Sequence, residues 1–361
     1  MLIVALLTAV LFVAQGTVQG TVQGMALVRP STALAAEVSS DSSSTQGDAA
    51  PSIVVSIKPL HSLVAAVTRG VTDPVLLFEG FSSPHTAQLK PSMMRTLHNS
   101  DLLVWVGAGI EVFLERVVAD LDPQSAVIAF AQIDGIQRWP FRFDQHGHGH
   151  SASTEFVRQS TDDASDTVVV KDNDNDDVNH GHQADASGLD EVDYHFWFDP
   201  QNAARLVTYL SEYLAEIDPV NATAYKSNAQ NMVMKLSQLD QQLKTLLFDV
   251  SDVPYLVFHD SYQYMERRYG LHRALVIAEQ PEVQPGAKRL KQILQQVESQ
   301  NVKCLFTEPQ FPAKVVSMLQ RDSSVDVATL DPLASSFAAG PDLYAQWMLQ
   351  LGQTVHECLT R

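Results

Sequence analysis

Apolar and polar positions alternate in a regular way along most of the chain. In the first half, short β-branched or apolar runs predict strands at 52–57, 75–78, 101–107 and 126–130. Between these runs lie segments whose apolar residues recur at helical spacing. Strands that alternate with helices predict a parallel sheet covered by helices on both faces.

The same alternation returns in the second half. Strands are predicted at 255–259 and 273–279 and within the runs VKCLFTE and VDVATL, with amphipathic helices between them. The two halves are separated by a predicted helix over 221–250, about 45 Å long at ~1.5 Å per residue. Its one-sided apolar stripe has 3-4-3 spacing and consists of Leu236, Leu239, Leu243 and Leu246. We therefore predict an α/β fold of two (β/α) lobes joined by one long backbone helix.

One internal segment breaks the alternation. Residues 144–193 contain thirteen acids, two bases and five histidines with few apolar residues, so they cannot bury enough surface to offset their chain entropy. The predicted organisation is a signal peptide at 1–35, a disordered tether at 36–51, an N-terminal lobe at 52–217 carrying a disordered insertion at 144–193, a linking helix at 218–250, and a C-terminal lobe at 251–361.

The apolar start predicts export. MLIVALLTAVLFVAQG is followed by Ala33-Leu34-Ala35, a sequence typical of signal-peptidase cleavage, which favours a periplasmic location. A retained membrane anchor is the alternative, but the apolar run is shorter than the ~20 residues that span a bilayer. Two cysteines, Cys304 and Cys358, are a candidate disulfide in an exported protein, and two unpaired thiols are the other interpretation.

The net negative charge of the chain bears on which partners it can bind. The formal net charge is -18, whereas nucleic-acid-binding proteins carry basic patches, so no nucleic acid is expected as a partner. A negative field favours the approach of cations, and solubility is the simpler explanation of the same charge. We expect a monomer.

The twelve histidines suggest what the cation is. Imidazole is the commonest protein ligand for zinc and similar metals. One group lies on flexible glycine-containing backbone within the insertion, where it predicts weak auxiliary metal binding: His146, His148, His150, His180 and His182. A solvated polar loop is the alternative for that group.

Three further histidines and one aspartate lie where α/β sheets place their ligands. His85 follows a predicted strand, His259 ends one, Asp331 ends another, and His195 leads into a helix. Two would come from each lobe, which places a metal site in the cleft between the lobes. Three imidazoles with an oxygen ligand suit zinc. Each histidine taken alone is more commonly a packed residue, and Asp331 precedes a proline and could simply form a turn.

The remaining histidines carry less functional information. His61 is expected to be packed within a helix, and His98, His272 and His356 are expected at the surface.

Several segments, read in order, resemble the ZnuA-type, zinc-specific periplasmic solute-binding proteins of ABC transporters. They are SIKPLHSLVAAV, SSPHTAQLKPS, DLLVWVGAGIE, DYHFWFDP, FHDSYQY, TEPQF and TLDPL. The resemblance implies two lobes joined by a rigid helix, with zinc bound in the cleft by His85, His195 and His259. It makes Asp331 a further candidate ligand, and Pro84 stands where some members have a glutamate ligand. It also implies a disulfide between Cys304 and Cys358.

The function implied by the resemblance is zinc capture for a membrane ABC permease, without catalysis. Two alternatives belong to other classes of protein. A zinc hydrolase needs an open coordination position and a general base, for which Glu79 and Asp260 are the nearby acids. A surface adhesin with structural zinc is the other alternative.

Overall fold

Two four-stranded parallel sheets form the framework of the protein. The computed structural model describes residues 49–79, 83–85, 87–121, 125–142, 192–278, 285–310 and 313–361. The predicted signal peptide, most of the predicted tether, and residues 144–191 of the predicted insertion lie outside the described residues.

The first sheet has the strand order β2-β1-β3-β4, with every neighbouring pair parallel. The elements of this half are β1 (Ile53–Val55), α1 (Lys58–Val67), β2 (Val75–Leu76), α2 (Pro91–His98), β3 (Leu102–Trp105), α3 (Val112–Ala119) and β4 (Ala126–Ala129). All four strands are shorter than predicted, and β2 is the shortest. Hydrogen bonds from Leu77 N to Val55 O (2.8 Å) and from Phe78 N to Ser56 O (3.1 Å) nevertheless continue along the predicted span.

The second sheet repeats this arrangement with the order β6-β5-β7-β8. Its elements are β5 (Tyr255–His259), α6 (Gln263–Tyr269), β6 (Leu275–Ala278), α7 (Ala287–Ser299), β7 (Cys304–Thr307), α8 (Ala313–Asp322), β8 (Asp326–Thr329) and α9 (Leu343–Leu359). The prediction of two α/β halves, each with a parallel sheet, is confirmed.

Two long helices that pack against each other lie between the two sheets in chain order. Helix α4 (Pro200–Ile217) begins at Asp199, whose side chain accepts a hydrogen bond from Gln201 N (2.8 Å), a normal N-cap contact. Helix α5 (Ala222–Leu247) has 26 residues, fewer than the thirty predicted, because a short 3-10 turn occupies each end of the predicted span. At ~1.5 Å per residue it is about 39 Å long. Helix α5 packs against α1 from the first half and α9 from the second.

The sheets share one hydrophobic core. Alternate residues of β1 and β5 face a central cluster, which contains Val55 and Val257 together with the buried stripe of α5. The intervening residues face two separate outer clusters, one beside each sheet, exemplified by Val54 and Leu256. This alternation is what a strand buried on both faces requires. Among the helices of the described part of the chain, none is both long and apolar enough to cross a membrane.

Candidate metal centre

Three histidines far apart in the sequence meet between the two sheets. One ligand atom from each of His85, His195 and His259 lies within 4.8 Å of the others. The ring centroids are 5.4 Å apart for His195 and His259, and 5.8 Å apart for each of these with His85. A tetrahedral zinc ion bound by imidazole nitrogens at ~2.0–2.1 Å needs ligand atoms gathered in this way.

The fold explains how each histidine arrives there. His259 is the last residue of β5, so its ring projects from the carboxyl end of the second sheet, where open α/β sheets bind ligands. His85 lies in the loop after β2 of the first sheet. His195 immediately precedes a 3-10 turn, Phe196–Phe198, whose three aromatic side chains are buried. That burial leaves little freedom for the histidine backbone.

The segment carrying His195 is bonded to the second half of the protein. Trp197 Nε1 donates to Pro332 O (3.0 Å), and Tyr344 Oη donates to Trp197 O (2.7 Å). The sequence predicts two ligands from each lobe. The structure shows that the segment of His195, although it precedes α4, is held by residues near β8 and on α9.

Buried carboxylates contact two of the three rings. Asp193 Oδ1 lies 2.7 Å from Nδ1 of His195, and Glu308 Oε1 lies 2.7 Å from Nδ1 of His259. Metal-binding histidines commonly donate their second ring nitrogen to a carboxylate, which orients the ring and leaves Nε2 to the metal. Both carboxyl side chains are about 1% exposed.

Neither carboxylate was predicted as a functional residue. Glu308 follows β7 directly, and β7 neighbours β5, so the two carboxyl ends bring Glu308 to His259. An acid after the apolar run VKCLFT was a usable signal for it. Asp193, two residues before His195, falls within the predicted disordered insertion, but its backbone N donates to Trp139 O (2.8 Å) and ties it to the folded chain.

The electrostatics of the cluster act in opposite directions on His85 and His259. Burial, with repulsion from His195 and His259, lowers the pKa of His85 to about 2, so this imidazole is neutral at physiological pH. Burial also disfavours the charged form of His259. The charge of Glu308 and its hydrogen bond outweigh that effect, and they raise the pKa of His259 above its ordinary value.

A small pocket surrounds the three rings. Its lining comes from both halves of the protein: Ser83, Pro84, His85, His195, Trp197, His259, Glu308, Gln310, Pro332 and Leu333. Three imidazole nitrogens suit a borderline-soft cation such as Zn²⁺ better than an oxygen-preferring one.

Asp331 lies outside this histidine cluster. Its Oδ1 accepts hydrogen bonds from Leu333 N (3.1 Å) and Gln310 Nε2 (3.0 Å), and its Oδ2 accepts one from Ser335 N (2.5 Å). These contacts are those of an aspartate that closes a turn, the simpler alternative that its Asp-Pro sequence left open. The geometry does not support the prediction of Asp331 as a fourth ligand.

The remaining predicted residues are placed as follows. His61 is buried in α1 with Nε2 2.9 Å from Pro74 O, as expected for a packed histidine. His98 is exposed, and His272 and His356 are partly exposed. The predicted disulfide between Cys304 and Cys358 is confirmed. The five histidines of the insertion lie outside the described residues.

Comparison with known proteins gives a consistent set of relatives. Residues 53–358 match the family described as "Zinc-uptake complex component A periplasmic". The chain is 36% identical over 313 residues to the high-affinity zinc uptake system protein ZnuA of Brucella suis biovar 1, covering 86% of this chain and 92% of that protein. It is 30% identical over 311 residues to the protein of the same name from Yersinia pestis, with the same coverage of both.

Solved structures share the fold. A crystal structure of ZnuA superposes with a TM-score of 0.67 at 23% identity, covering 86% of this chain and 99% of that chain. The AdcAII protein of Streptococcus pneumoniae gives a TM-score of 0.65 at 20% identity, covering 86% and 100%. At these identities the likeness concerns the fold alone. The match of the family to nearly all the described residues, and the relatives at 30% identity and above, show that this chain belongs to the ZnuA family of periplasmic zinc-uptake components.

Proposed function

We propose that the protein captures Zn²⁺ in the periplasm through His85, His195 and His259 and delivers it to a membrane ABC permease. The observation that carries this proposal is the convergence of three imidazoles, with ligand atoms within 4.8 Å of one another. Two of these rings are oriented by buried carboxylates. Relatives that cover most of this chain are named for high-affinity zinc uptake.

The same geometry supports binding over catalysis. A zinc hydrolase needs a carboxylate that can act as general base beside the metal. The carboxylate of Asp260 is paired with Arg142, and Glu308 is bonded to His259. Glu79 is exposed in the loop after β2. The acids nearest to the histidines therefore have other partners or face solvent.

Export by a cleaved signal peptide at 1–35 and weak auxiliary metal binding by the histidines of 144–193 are part of the same proposal. They rest on sequence composition, since residues 1–35 and all five of these histidines lie outside the described residues. Deleting 144–191 should lower the total zinc bound per chain and leave the tight site intact.

The direct test is a chelator-competition titration of His259→Ala against wild type. Zinc affinity should fall by roughly two orders of magnitude or more. The variant loses one of three nitrogen ligands, and it also leaves the buried charge of Glu308 without its histidine partner. His272→Ala, which alters a partly exposed histidine of the same half, is the matched control and should bind like wild type. Wild-type affinity in His259→Ala would show that the zinc site lies elsewhere.

A further inference from the structure

Asp193 connects the candidate ligand His195 to helix α6. Its Oδ1 lies 2.7 Å from His195 Nδ1 and accepts a second hydrogen bond from His195 N (3.0 Å). Its Oδ2 accepts a hydrogen bond from Gln263 Nε2 (3.1 Å). Gln263, the first residue of α6, is completely buried and lies four residues after His259. The Gln263 amide thus links Asp193, which contacts His195, to the end of β5, which carries His259.

The orientation of the Gln263 amide is determined by its partners. Its Oε1 accepts a hydrogen bond from Arg267 Nε (3.1 Å), and a guanidinium can only donate. The NH₂ group must therefore face the other way, where it donates to Asp193 Oδ2 and to Pro140 O (3.1 Å). A buried amide with both ends engaged cannot rotate without losing hydrogen bonds, so it holds Asp193 in one position.

Neighbouring residues of α6 form further contacts with the chain around Asp193 and with residues 139–142. Tyr264 Oη donates to Asp193 O (2.7 Å) and accepts a hydrogen bond from Trp139 N (3.0 Å). Glu266 forms an ion pair with Arg142. The two stretches of chain that border 143–191 are thus both held against α6, and Asp193 is the member of this group that also contacts His195.

We infer that Gln263 is a positioning residue for zinc binding, acting through Asp193 to hold His195 at its spacing from His259. This inference rests on the proposed zinc site at the three histidines. The hydrogen bonds of the Gln263 amide go to Asp193, Pro140 and Arg267, so its influence on His195 passes through Asp193. Its effect is to make His195 and His259 a pre-organised pair, with ring centroids 5.4 Å apart, so that less ordering is needed when zinc binds.

The test is a double-mutant cycle read by zinc affinity in chelator competition. Asp193→Ala should weaken zinc binding by about 10–100-fold, as is typical for loss of a carboxylate that supports a ligand. Gln263→Met should weaken zinc binding roughly three- to tenfold, less than Asp193→Ala, because Gln263 contacts Asp193 and acts on His195 only through it. In the Asp193→Ala background, Gln263→Met should cause no further loss, because the residue through which it acts is gone.

Two further variants separate positioning from general destabilisation. Gln263→Glu keeps the side-chain shape and the contact with Arg267 while removing the donors to Asp193, so it should also weaken zinc binding. Tyr255→Phe removes a buried hydrogen bond to Glu266 on α6 (3.2 Å) without touching Asp193, and should bind zinc like wild type. With Co²⁺ as the probe, the visible absorption bands should change in Gln263→Met and stay unchanged in Tyr255→Phe.

Wild-type affinity in both Gln263 variants, or losses that add to that of Asp193→Ala, would overturn the inference. Failure of the proposed function would look different. In that case His259→Ala would bind zinc as tightly as wild type, whatever the Gln263 variants do.

Discussion

At the scale of single residues, two of the three imidazoles of the candidate site contact a carboxylate through one ring nitrogen. Glu308 takes Nδ1 of His259 and Asp193 takes Nδ1 of His195. The metal and the proton must then compete for Nε2 of these rings, because a metal-binding imidazole must be deprotonated there. Zinc binding and acidity are therefore linked through the buried carboxylates.

This link predicts how zinc affinity varies with pH. Glu308 raises the pKa of His259, so affinity is fully present above that pKa and is lost as the pH falls through it, by about tenfold per pH unit for one displaced proton. His85, with its pKa lowered to about 2, contributes no such loss near neutrality. Because that pKa lies above the ordinary histidine value, titrations that extend upward from about pH 6.5 should show the fall in wild type.

Glu308→Gln provides the comparison for the pH prediction. Removing the charge should lower the pKa of His259 and move the fall in affinity to lower pH, although affinity above that range should itself be about 10–100-fold weaker. If wild type and Glu308→Gln lost affinity over the same pH range, Glu308 would not control the protonation of His259.

For Asp331 we predict an effect on stability and little effect on zinc affinity. Since its carboxylate closes the turn at 331–335, Asp331→Ala should lower the free energy of unfolding by about 1–3 kcal/mol while changing zinc affinity little. Asp326→Ala, which alters an exposed aspartate on β8, should change neither quantity. Denaturant unfolding and chelator competition measure the two effects. A large loss of affinity with unchanged stability would restore Asp331 as a ligand.

At the scale of secondary-structure elements, the turn after β3 supports the segment of His195 from the first half. Gly107 has a φ of +141°, a conformation that side chains rarely adopt, and a Cβ there would also lie 3.1 Å from the ring of Tyr194. A Cβ at Gly109 would overlap the same ring. Two glycines thus make room for the aromatic residue that immediately precedes His195.

Gly109→Ala should therefore disturb the metal site from a distance. Tyr194 must move, which should weaken zinc binding by about tenfold, the lower end of the range for lost support of a ligand, and lower the free energy of unfolding by about 1–3 kcal/mol. Gly286→Ala is the matched control, since a Cβ at that position meets open space. Unchanged zinc affinity in Gly109→Ala would mean that the position of Tyr194 does not matter to His195.

At the scale of the whole molecule, the second half carries a covalent link that the first half lacks among its described residues. The disulfide joins the start of β7 to the end of α9 over a separation of 54 residues. Helix α9 packs against α5 and α1 at the centre of the molecule. The link therefore restrains the packing of α9 against the second sheet in the folded state and shortens the free chain in the unfolded state.

Replacing both cysteines by alanine should lower the free energy of unfolding by about 2–4 kcal/mol, the usual consequence of releasing a loop of this length. Zinc affinity should stay within a few fold of wild type, because neither cysteine lines the pocket of the histidines. Denaturant unfolding of the double variant and of reduced wild type should agree. A stable double variant with weakened zinc binding would instead assign the disulfide a role in shaping the site.

The fold class and the order of the elements could be predicted from the sequence alone. Periodicity identifies buried strands and amphipathic helices locally, and the carboxyl ends of parallel strands are general ligand positions. The strand-end position of His259 follows from YLVFH without knowledge of the fold. Assigning all three histidines to one site needed the resemblance to a known family, since their spacing forms no local motif.

The contacts of the carboxylates could only be decided by the tertiary structure. Glu308 meets His259 because β7 pairs with β5, a neighbour relation that local periodicity does not encode. In the sequence, Asp193 is one more acid of a polar insertion. Only the fold shows that it accepts a hydrogen bond from Gln263, seventy residues later. Asp331 reads as a ligand by its position after a strand, whereas the folded loop brings backbone N–H groups to its carboxylate. Sequence patterns report which residues are buried and in which element, but a hydrogen bond depends on distances of about 3 Å between atoms that only the packed chain brings together.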